Sequence, residues 1–590
     1  MITLDAPFVL LDDARETGAA PARLYRRPVD TISCHDPSEV EAALDRLRVA
    51  IRDGLQAAGY LTFEAGNALA PRAVGDKNPT GALLWFGLFE DHKRIAPEDL
   101  PGRLPDPAGA WSWPPAAIIE RTDYDAAFAQ VIELIRAGDI YQANLTFRLT
   151  LPFLGDPLSL YARLRERSRA GWSAVVHDGH DTILSCSPEL FFAIDGGRIT
   201  TRPMKGTARR GETPVEDARA AGRLAGDAKE RAENLMIVDL MRNDLAQVAR
   251  PGSVAVPELY RVESYPTVHQ MVSTITADLA EGRDAVDVLR ALFPCGSITG
   301  APKQRAREII AQVEPSPRGI YTGAIGRIDQ AGAMFNVAIR TLVIQGGDEH
   351  ATMGVGGGIV ADSTADAEFD EALAKAAFAD PPARGFDLIE TMAFEPLDGI
   401  ALLHHHLARM RASAKALGFA FDRHDARNEL QAATFRLREP ARLRLVLARS
   451  GAVAIEVSPM PPPMTSAMAV AVVALPVARA DIRLRHKTSD RHFYDEARAR
   501  AGTAEVLFEA DGQLTEGSFT SLFVERDGRL LTPPLAAGLL PGVLRAALIE
   551  RGRAVEAPLT RLDLTGGFLL GNALRGLMPA QLAVAEPAVR

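Results

Sequence analysis

Apolar positions along the chain fall into two rhythms. Continuous or alternating runs mark strands at Phe8–Leu11, at Leu83–Phe89 (LLWFGLF), and at Asp139–Phe147 (DIYQANLTF). Helical spacing predicts an amphipathic helix from Ser38 to Ala58, and a second from Tyr124 to Ala137 that Gly138 stops. A third runs over Lys229–Asp244 (KERAENLMIVDLMRND), where Ala232, Leu235, Met236 and Leu240 recur and neither Gly nor Pro intervenes. Pro101–Pro115 is proline-rich and reads as a surface connection. Asp380–Arg384 (DPPAR) follows an alanine-rich helix and reads as a short, stiff connector. Beyond it, Gly385–Met392 reads as a strand, His404–Ser413 (HHHLARMRAS) opens a helix, and Pro461–Pro463 marks a break between two lobes. The expected organisation is a domain over 1–378, a linker at 379–384 and a second domain over 385–590.

Composition narrows the class. A chain of 590 residues is too long for one ordinary domain, and 47% hydrophobic residues suffice for large cores. The net charge of −10, with both signs interspersed, argues against nucleic acid and anionic membrane as partners. Cys34, Cys186 and Cys295 are too few and too scattered for a disulfide framework, which suits a reducing cytoplasm. The first residues lack a basic start and an apolar signal core. The most apolar run, Ala467–Ala478, is too short to span a bilayer and contains Pro476.

Candidate chemistry starts with paired acids. Glu230 and Glu233 lie three apart on one helical face, and Glu368 and Glu371 repeat the spacing in Ala367–Lys375 (AEFDEALAK). Clustered carboxylates repel unless a cation sits between them, and oxygen ligands without His or Cys suit Mg²⁺ better than zinc. These four are the candidate metal ligands. The bland alternative is two solvated acidic faces.

The surrounding motifs decide between them. PMKGT (203–207), HQMVSTI (269–275), GSITGAPK (296–303), YTGAIG (321–326), IRT (339–341) and GGGIVADS (356–363) occur in this order around the acidic helix. Together they resemble the chorismate-utilising enzymes, which include the anthranilate, aminodeoxychorismate, isochorismate and salicylate synthases. The resemblance covers roughly residues 120 to 378. It implies an α/β (α+β) fold, an antiparallel-sheet sandwich that the N-terminal region completes, with Mg²⁺ and chorismate as ligands. No tryptophan-site motif is read in that region.

The resemblance carries residue roles. Relatives that add water to chorismate carry lysine where this chain has Gln142. Glutamine cannot serve as a base, which argues against an isochorismate or salicylate synthase. Glu189, in SPELFF (187–192), resembles the acid that protonates the departing C4 hydroxyl, a task that needs a raised pKa. Lys205 stands where anthranilate synthases have a small residue and aminodeoxychorismate synthases have lysine. In the family proposal it attacks C2 and expels the C4 hydroxyl, after which ammonia attacks C4 and expels the lysine. That favours 4-amino-4-deoxychorismate over anthranilate. Arg340 and Tyr321 would grip substrate carboxylates. Gly356, Gly357 and Gly358 would turn successive N–H groups on one anion. Lys375 would lie at the metal–carboxylate end, and His269 and Thr299 resemble residues that line the ring. Cys295 replaces a more usual glycine and is expected only to pack.

The second domain carries another ordered set: RHKTSDR (485–491), GQLTEGSFTSLF (512–523), GLLPGVLR (538–545) and LGNALR (570–575). It resembles the pyridoxal-phosphate enzymes of the D-alanine and branched-chain aminotransferase fold, fold-type IV, a group that includes aminodeoxychorismate lyase. Thr520-Ser521 departs from the commoner Ser-Asn. The resemblance implies pyridoxal 5′-phosphate joined to Lys487, which would also act as general base. Glu516 would keep the pyridine nitrogen protonated. Gly542 and Val543 would bind phosphate at a helix N-terminus, Arg409 would add charge there, and Asn572 and Ala573 would close it. His404, His405 and His406 are neighbours on a helix, about 100° apart, and cannot converge on a metal.

The join implies more than either half. Aminodeoxychorismate has a C4 amine that the second domain can process, with loss of pyruvate, to 4-aminobenzoate for folate. No cysteine lies in a Gly-x-Cys-x-Gly elbow, so ammonia would come from a separate glutamine amidotransferase subunit or from solution. Relatives of the second domain pair, which allows a homodimer through it. The rival expectations are an anthranilate-type synthase fused to a branched-chain or D-amino-acid aminotransferase, and an inactive chorismate-binding regulator.

Overall fold

A computed structural model gives the fold and describes residues 1–69, 81–265, 268–381, 385–464 and 466–583. The chain divides into two compact units. The first holds Met1–Leu104, Ser112–Phe153 and Leu160–Pro381, and the second holds Pro105–Trp111, Leu154–Ser159 and Pro382–Arg590. Part of the expected linker, 382–384, lies outside the described residues.

The first unit is a mixed α/β sandwich built on two large antiparallel sheets. In one, Gly300–Ala301, Gln142–Gly155, His350–Ile359, Thr341–Ile344 and Thr182–Ser187 lie side by side. In the other, Met204–Arg209, Val268–Asp278, Arg198–Arg202, Leu190–Asp195 and Gly332–Val337 do the same. Inward side chains of both sheets meet in one cluster, where Val9, Leu11, Tyr25, Val176 and Ile183 pack with Tyr60, Trp85 and Ile325. A larger core lies between the second sheet and its helices, drawing on Leu44, Phe86, Phe192, Ile237, Met241, Leu289 and Phe335. Phe335 is fully buried, 5.3 Å from the Phe192 ring and 6.2 Å from that of Phe86.

Several expectations are met closely. Strands form at Phe8–Asp12 and Leu84–Phe89, every residue of each being buried, and a helix spans Arg121–Arg136. Others need correction. The first helix covers only Val40–Arg52, and Ala57 and Ala58 belong to the strand Gln56–Leu61. Gly54, at φ +95°, breaks the helix between them. The strand expected from Asp139 begins at Gln142. Pro101–Pro115 is not a plain surface connection, since Leu104, Trp111 and Ser112 are buried. The acidic helix spans Ala228–Ala246, but its buried face is Asn234, Ile237, Val238, Met241 and Leu245, whereas Leu235 is exposed. Apolar residues occur on more than one side of this helix, so spacing alone named the wrong stripe.

The second unit has two sheets. Gly399–Ile400, Leu388–Glu395, Ala441–Leu447 and Val453–Pro459 form the smaller. The larger has eight strands among the described residues, with Met468–Ala474 parallel to both Glu505–Ala510 and Gly576–Leu582. Pro461–Pro463 falls between the last strand of the smaller sheet and the first of the larger. No helix among the described residues is long and apolar enough to cross a membrane.

Phe335→Ala removes a ring from the centre of the first unit's core, and we expect a loss of about 3–5 kcal/mol. Denaturant unfolding followed in the first unit measures it; an unchanged midpoint would place the core elsewhere.

Candidate active sites

The first site forms where the glycine strand His350–Ile359 meets Gln142–Gly155 and Lys205, which is carried by the strand Met204–Arg209. The strands pair Gly356 with Thr146, Gly357 with Leu145 and Gly358 with Asn144. None of the three glycines adopts positive φ. This corrects the expected anion cradle, because successive N–H groups of a strand point to opposite sides and cannot converge. The glycines make room instead. A Cβ on Gly358 would strike the Gln142 amide and stand 3.0 Å from Lys205 Nζ. A Cβ on Gly357 would stand 2.7 Å from Glu368 Oε2, and one on Gly356 would run into the Leu145 carbonyl.

Gln142, Lys205 and Glu189 therefore lie close together. Gln142 is fully buried, and among the described residues neither of its side-chain polar atoms has a partner. An amide held this way is costly unless a bound molecule completes its hydrogen bonds. Burial lowers the Lys205 amine from the usual lysine range, against the pull of Glu233, Glu189 and Glu371. Burial raises the Glu189 carboxyl to about 7, although Ser297 and Lys205 oppose the shift. Ser297 Oγ–H donates to Glu189 Oε1 at 2.7 Å. Burial thus favours the neutral amine at Lys205 and the protonated acid at Glu189.

The acidic helices face each other. Burial raises Glu230, with Glu233, Asp227 and Glu371 adding repulsion. Burial also raises Glu368, with repulsion from Glu371 and Glu233, relieved by Ser363 and Lys375. Ser363 donates to Glu368 at 2.6 Å, and Lys375 bonds Glu371 and the Gly356 carbonyl, each at 2.9 Å. Lys229–Asp362, at 2.9 Å, joins the first helix to the loop before the second. Among the described residues no three His, Cys, Asp or Glu side chains are drawn together tightly enough to hold an ion as they stand. The donor chemistry, four carboxylates coupled across two helices, nevertheless fits a hard divalent cation.

The remaining expected contacts divide. Arg340 sits in the left-handed region, at φ 50°, and burial lowers its pKa. No acidic side chain among the described residues pairs with it, so its charge is available to an anion. Tyr321 is buried, with its ring lying on Gly354. Thr299 spends its hydroxyl on the Cys295 carbonyl at 2.6 Å. His269 is occupied at both ring nitrogens, by Ser264 Oγ and Asp217 Oδ1, each at 2.8 Å. It thereby ties the strand Val268–Asp278 to the helix Pro214–Gly226.

The second site is a cavity of about 450 Å³ lined by Lys487, Glu516, Arg409, His406, Gly542 and Asn572, among others. Lys487 Nζ donates to Thr391 Oγ1 at 3.1 Å, and its carbonyl accepts from Ile389. Burial first, then Arg409, lowers its pKa to about 7. Burial raises Glu516 to about 7, while Tyr494 OH and the Leu540 N–H donate to its two oxygens at 2.6 and 3.1 Å. Gly542 caps the helix Val543–Glu550, and a Cβ there would meet Ser521 Oγ at 2.5 Å. Asn572 Oδ1 accepts from the N–H groups of Leu574 and Arg575. A half-buried amine, a protonatable carboxyl and a helix N-terminus around one cavity fit pyridoxal phosphate.

Arg409 is more committed than its sequence suggests. It forms a two-point pair with Glu390 at 2.8 and 2.7 Å and donates to the Pro541 carbonyl at 3.0 Å. Burial works against the Glu390 charge, but Arg409 and His406 outweigh it and hold the carboxyl down at about 2. His406 lies 2.6 Å from Glu390 through Nδ1, while its Nε2 is buried without a partner. His406, Glu390, Thr391, Tyr494 and Ser297 were all missed in the sequence. The three-residue spacing of His406 and Arg409 was a usable signal, because it puts both on one helical face.

Comparison with known proteins follows this division. Residues 6–380 match the model of the chorismate binding enzyme family, and residues 387–583 match that of the class IV amino-transferases. The chain belongs to the chorismate binding enzymes, and carries a class IV amino-transferase domain after that region. It is 47% identical to aminodeoxychorismate synthase component 1 of Salmonella typhimurium, over 48% of this chain and 60% of that one. It is 49% identical to the protein of that name from Escherichia coli, over 43% and 56%. The chain thus spans under two thirds of the length of these curated relatives. Anthranilate synthase component 1 of Haloferax volcanii is 37% identical over 53% of this chain and 67% of its own. Crystalline anthranilate synthase component I from Streptococcus pneumoniae superposes with a TM-score of 0.51 at 25% identity, covering 64% of this chain and 93% of that one.

Gly358→Ala pushes a methyl group into the Gln142 amide beside Lys205. We expect at least a hundred-fold loss in the chorismate turnover proposed below for the first unit, in line with about 10²-fold for a misplacement near 1 Å. The absorbance of pyridoxal phosphate bound in the second unit should not change. Wild-type turnover would contradict this placement of the reacting groups.

Proposed function

We propose that the chain makes 4-aminobenzoate, the aromatic unit of folate, in two steps. The first joins chorismate and ammonia to give 4-amino-4-deoxychorismate and water. The second splits that product into 4-aminobenzoate and pyruvate. The observation that carries this reading is Lys205, half-buried, held close to Gly358 beside Gln142 and electrostatically coupled to Glu189. A small residue there would leave no amine to attack C2.

In the first step Arg340, without an acidic partner, holds a substrate carboxylate, and Tyr321 adds a hydroxyl donor. Glu230, Glu233, Glu368 and Glu371 would hold Mg²⁺, whose charge would offset that of the dicarboxylate substrate. Lys205 Nζ attacks C2 as the ring double bond shifts and the C4–O bond breaks. Glu189 gives its proton to the departing oxygen, which leaves as water. Ammonia then bonds to C4, and the shift reverses to release Lys205. Gln142 has no basic lone pair with which to activate water, so nitrogen rather than hydroxide enters. Lys375, fixed to the Gly356 carbonyl and Glu371, supplies positive charge at the acidic end.

In the second step pyridoxal phosphate, when bound, supplies an electron sink. Lys487 would carry it and take the C4 proton, with its amine near neutrality by burial. Glu516 would keep the cofactor's opposite end protonated, and the N–H groups of Gly542 and Val543 would bind its phosphate. Arg409 holds the Pro541 turn that presents them. The enolpyruvyl group leaves as pyruvate and the ring becomes aromatic. Ammonia would come from a separate glutamine amidotransferase subunit. A homodimer through the second unit and a cytoplasmic location complete the proposal.

The test uses the full chain with chorismate, Mg²⁺, ammonium and pyridoxal phosphate, read by fluorescence and mass. We expect 4-aminobenzoate and pyruvate in equal amounts, and anthranilate as the aromatic product would refute the proposal. Lys205→Ala should lose at least about a hundred-fold in amination, as expected when an activated nucleophile is removed. Lys487→Ala should still consume chorismate but accumulate 4-amino-4-deoxychorismate.

A further inference from the structure

Glu189 occupies the turn between strands Thr182–Ser187 and Leu190–Asp195. Its main chain is fixed from two sides. The N–H donates to Ser187 Oγ at 3.2 Å, and the carbonyl accepts from the Val337 N–H at 3.1 Å. Ser187 Oγ itself donates to the Val337 carbonyl at 2.6 Å. That leaves the carboxyl, which can still rotate and can carry its proton on either oxygen.

Ser297 removes this freedom. It lies on the tight turn Gly296–Ile298, is buried, and reaches Glu189 Oε1 at 2.7 Å. Behind it, Cys295 Sγ stands 3.2 Å from Ser297 Oγ. Burial, aided by the nearby Glu189 charge, pushes the Cys295 thiol up to about 12, so it keeps its proton. A serine hydroxyl has one proton to give. When that proton goes to Glu189 Oε1, Ser297 Oγ is left as an acceptor, and the Cys295 S–H is its donor. Oε1 is then already engaged, so the acid proton resides on Oε2.

We propose that Cys295 and Ser297 form a positioning relay, S–H to O–H to Oε1, that fixes the Glu189 carboxyl and keeps its transferable proton on Oε2. Cys295 then does more than pack. The inference rests on the reading of Glu189 as the acid of the first step. The charged and titratable groups facing Glu189 are Lys205 and Cys295, and a backbone contact with Met204 also favours the charged form. Lys205 must be neutral and Glu189 protonated, so the rate of amination should rise with Lys205 deprotonation and fall as Glu189 ionises. The relay acts on the second limb.

The test is the pH profile of ammonium-dependent amination by the full chain with Mg²⁺, for Ser297→Ala, Ser297→Thr, Cys295→Ala and Glu189→Gln. Circular dichroism and melting first establish that each variant is folded. Ser297→Ala should lose about ten- to a hundred-fold in kcat with KM little changed. The limb set by Glu189 should move upward by about half a pH unit, because a donor to the charged form is gone. Ser297→Thr, which keeps the hydroxyl, should restore rate and limb. Cys295→Ala should shift the limb in the same direction, with a few-fold loss, and stands in if Ser297→Ala does not fold. If Glu189→Gln is inactive while Ser297→Ala or Cys295→Ala keeps both rate and limb, the relay is wrong and the acid assignment stands. If Glu189→Gln aminates normally, the acid assignment fails and takes the relay with it.

Discussion

Desolvation of ionisable groups is the constraint on which both sites depend. An ammonium cannot attack carbon, and a carboxylate cannot give a proton. Water stabilises both charged forms, so both must be taken out of water to react near neutrality. The fold does this four times. Lys205 and Lys487 are lowered, and Glu189 and Glu516 are raised, with burial the largest cause each time. Direct pairing would undo the effect. Lys487 is met by a neutral threonine hydroxyl and Glu189 by a serine, neither of which cancels a charge.

The glycine strand follows from that constraint. To bury Lys205 without pairing it, a surface is needed that approaches closely and carries no competing side chain. Gly358 supplies this face toward Lys205 and Gln142, while Gly357 supplies the next toward Glu368 and Lys375. Alternation along the strand therefore separates two functions one residue apart. One face serves the amine, and the other leaves room for the acidic helix. A cradle of N–H groups would have required turn geometry, and the regular pairing with Gln142–Gly155 excludes it.

Much of this was legible in the sequence. The two-part organisation, the sandwich class and the family all followed from ordered motifs, because motif order reflects the whole fold. Lys205, Glu189 and Gln142 were singled out by motif context, and the fold brings Gln142 and Lys205 to one glycine. Partners distant in the chain were not legible. Nothing near His269 in the sequence signals its bond to Asp217, 52 residues away. Glu390 gave no local sign that His406 and Arg409 converge on it. The acidic helix misled for another reason. Asn234 is buried through a 2.5 Å bond from Ser273, so a polar residue lies on the core face while Leu235 faces water.

The two sites also constrain each other's chemistry. An enzyme that placed nitrogen beside the ring carboxylate would make a product already aromatic after its own elimination, with nothing left for a lysine base to do. Nitrogen at C4 is different: it leaves a proton on the same carbon and an enolpyruvyl ether on the neighbouring carbon, C3. Abstracting that proton needs a base that is neutral near pH 7 and an electron sink whose far end stays protonated. Lys487 at about 7 and Glu516 at about 7 meet those two requirements in one cavity. On the proposed reading Lys205 makes the amine that Lys487 and Glu516 would process, so the two sites would serve consecutive steps of one sequence.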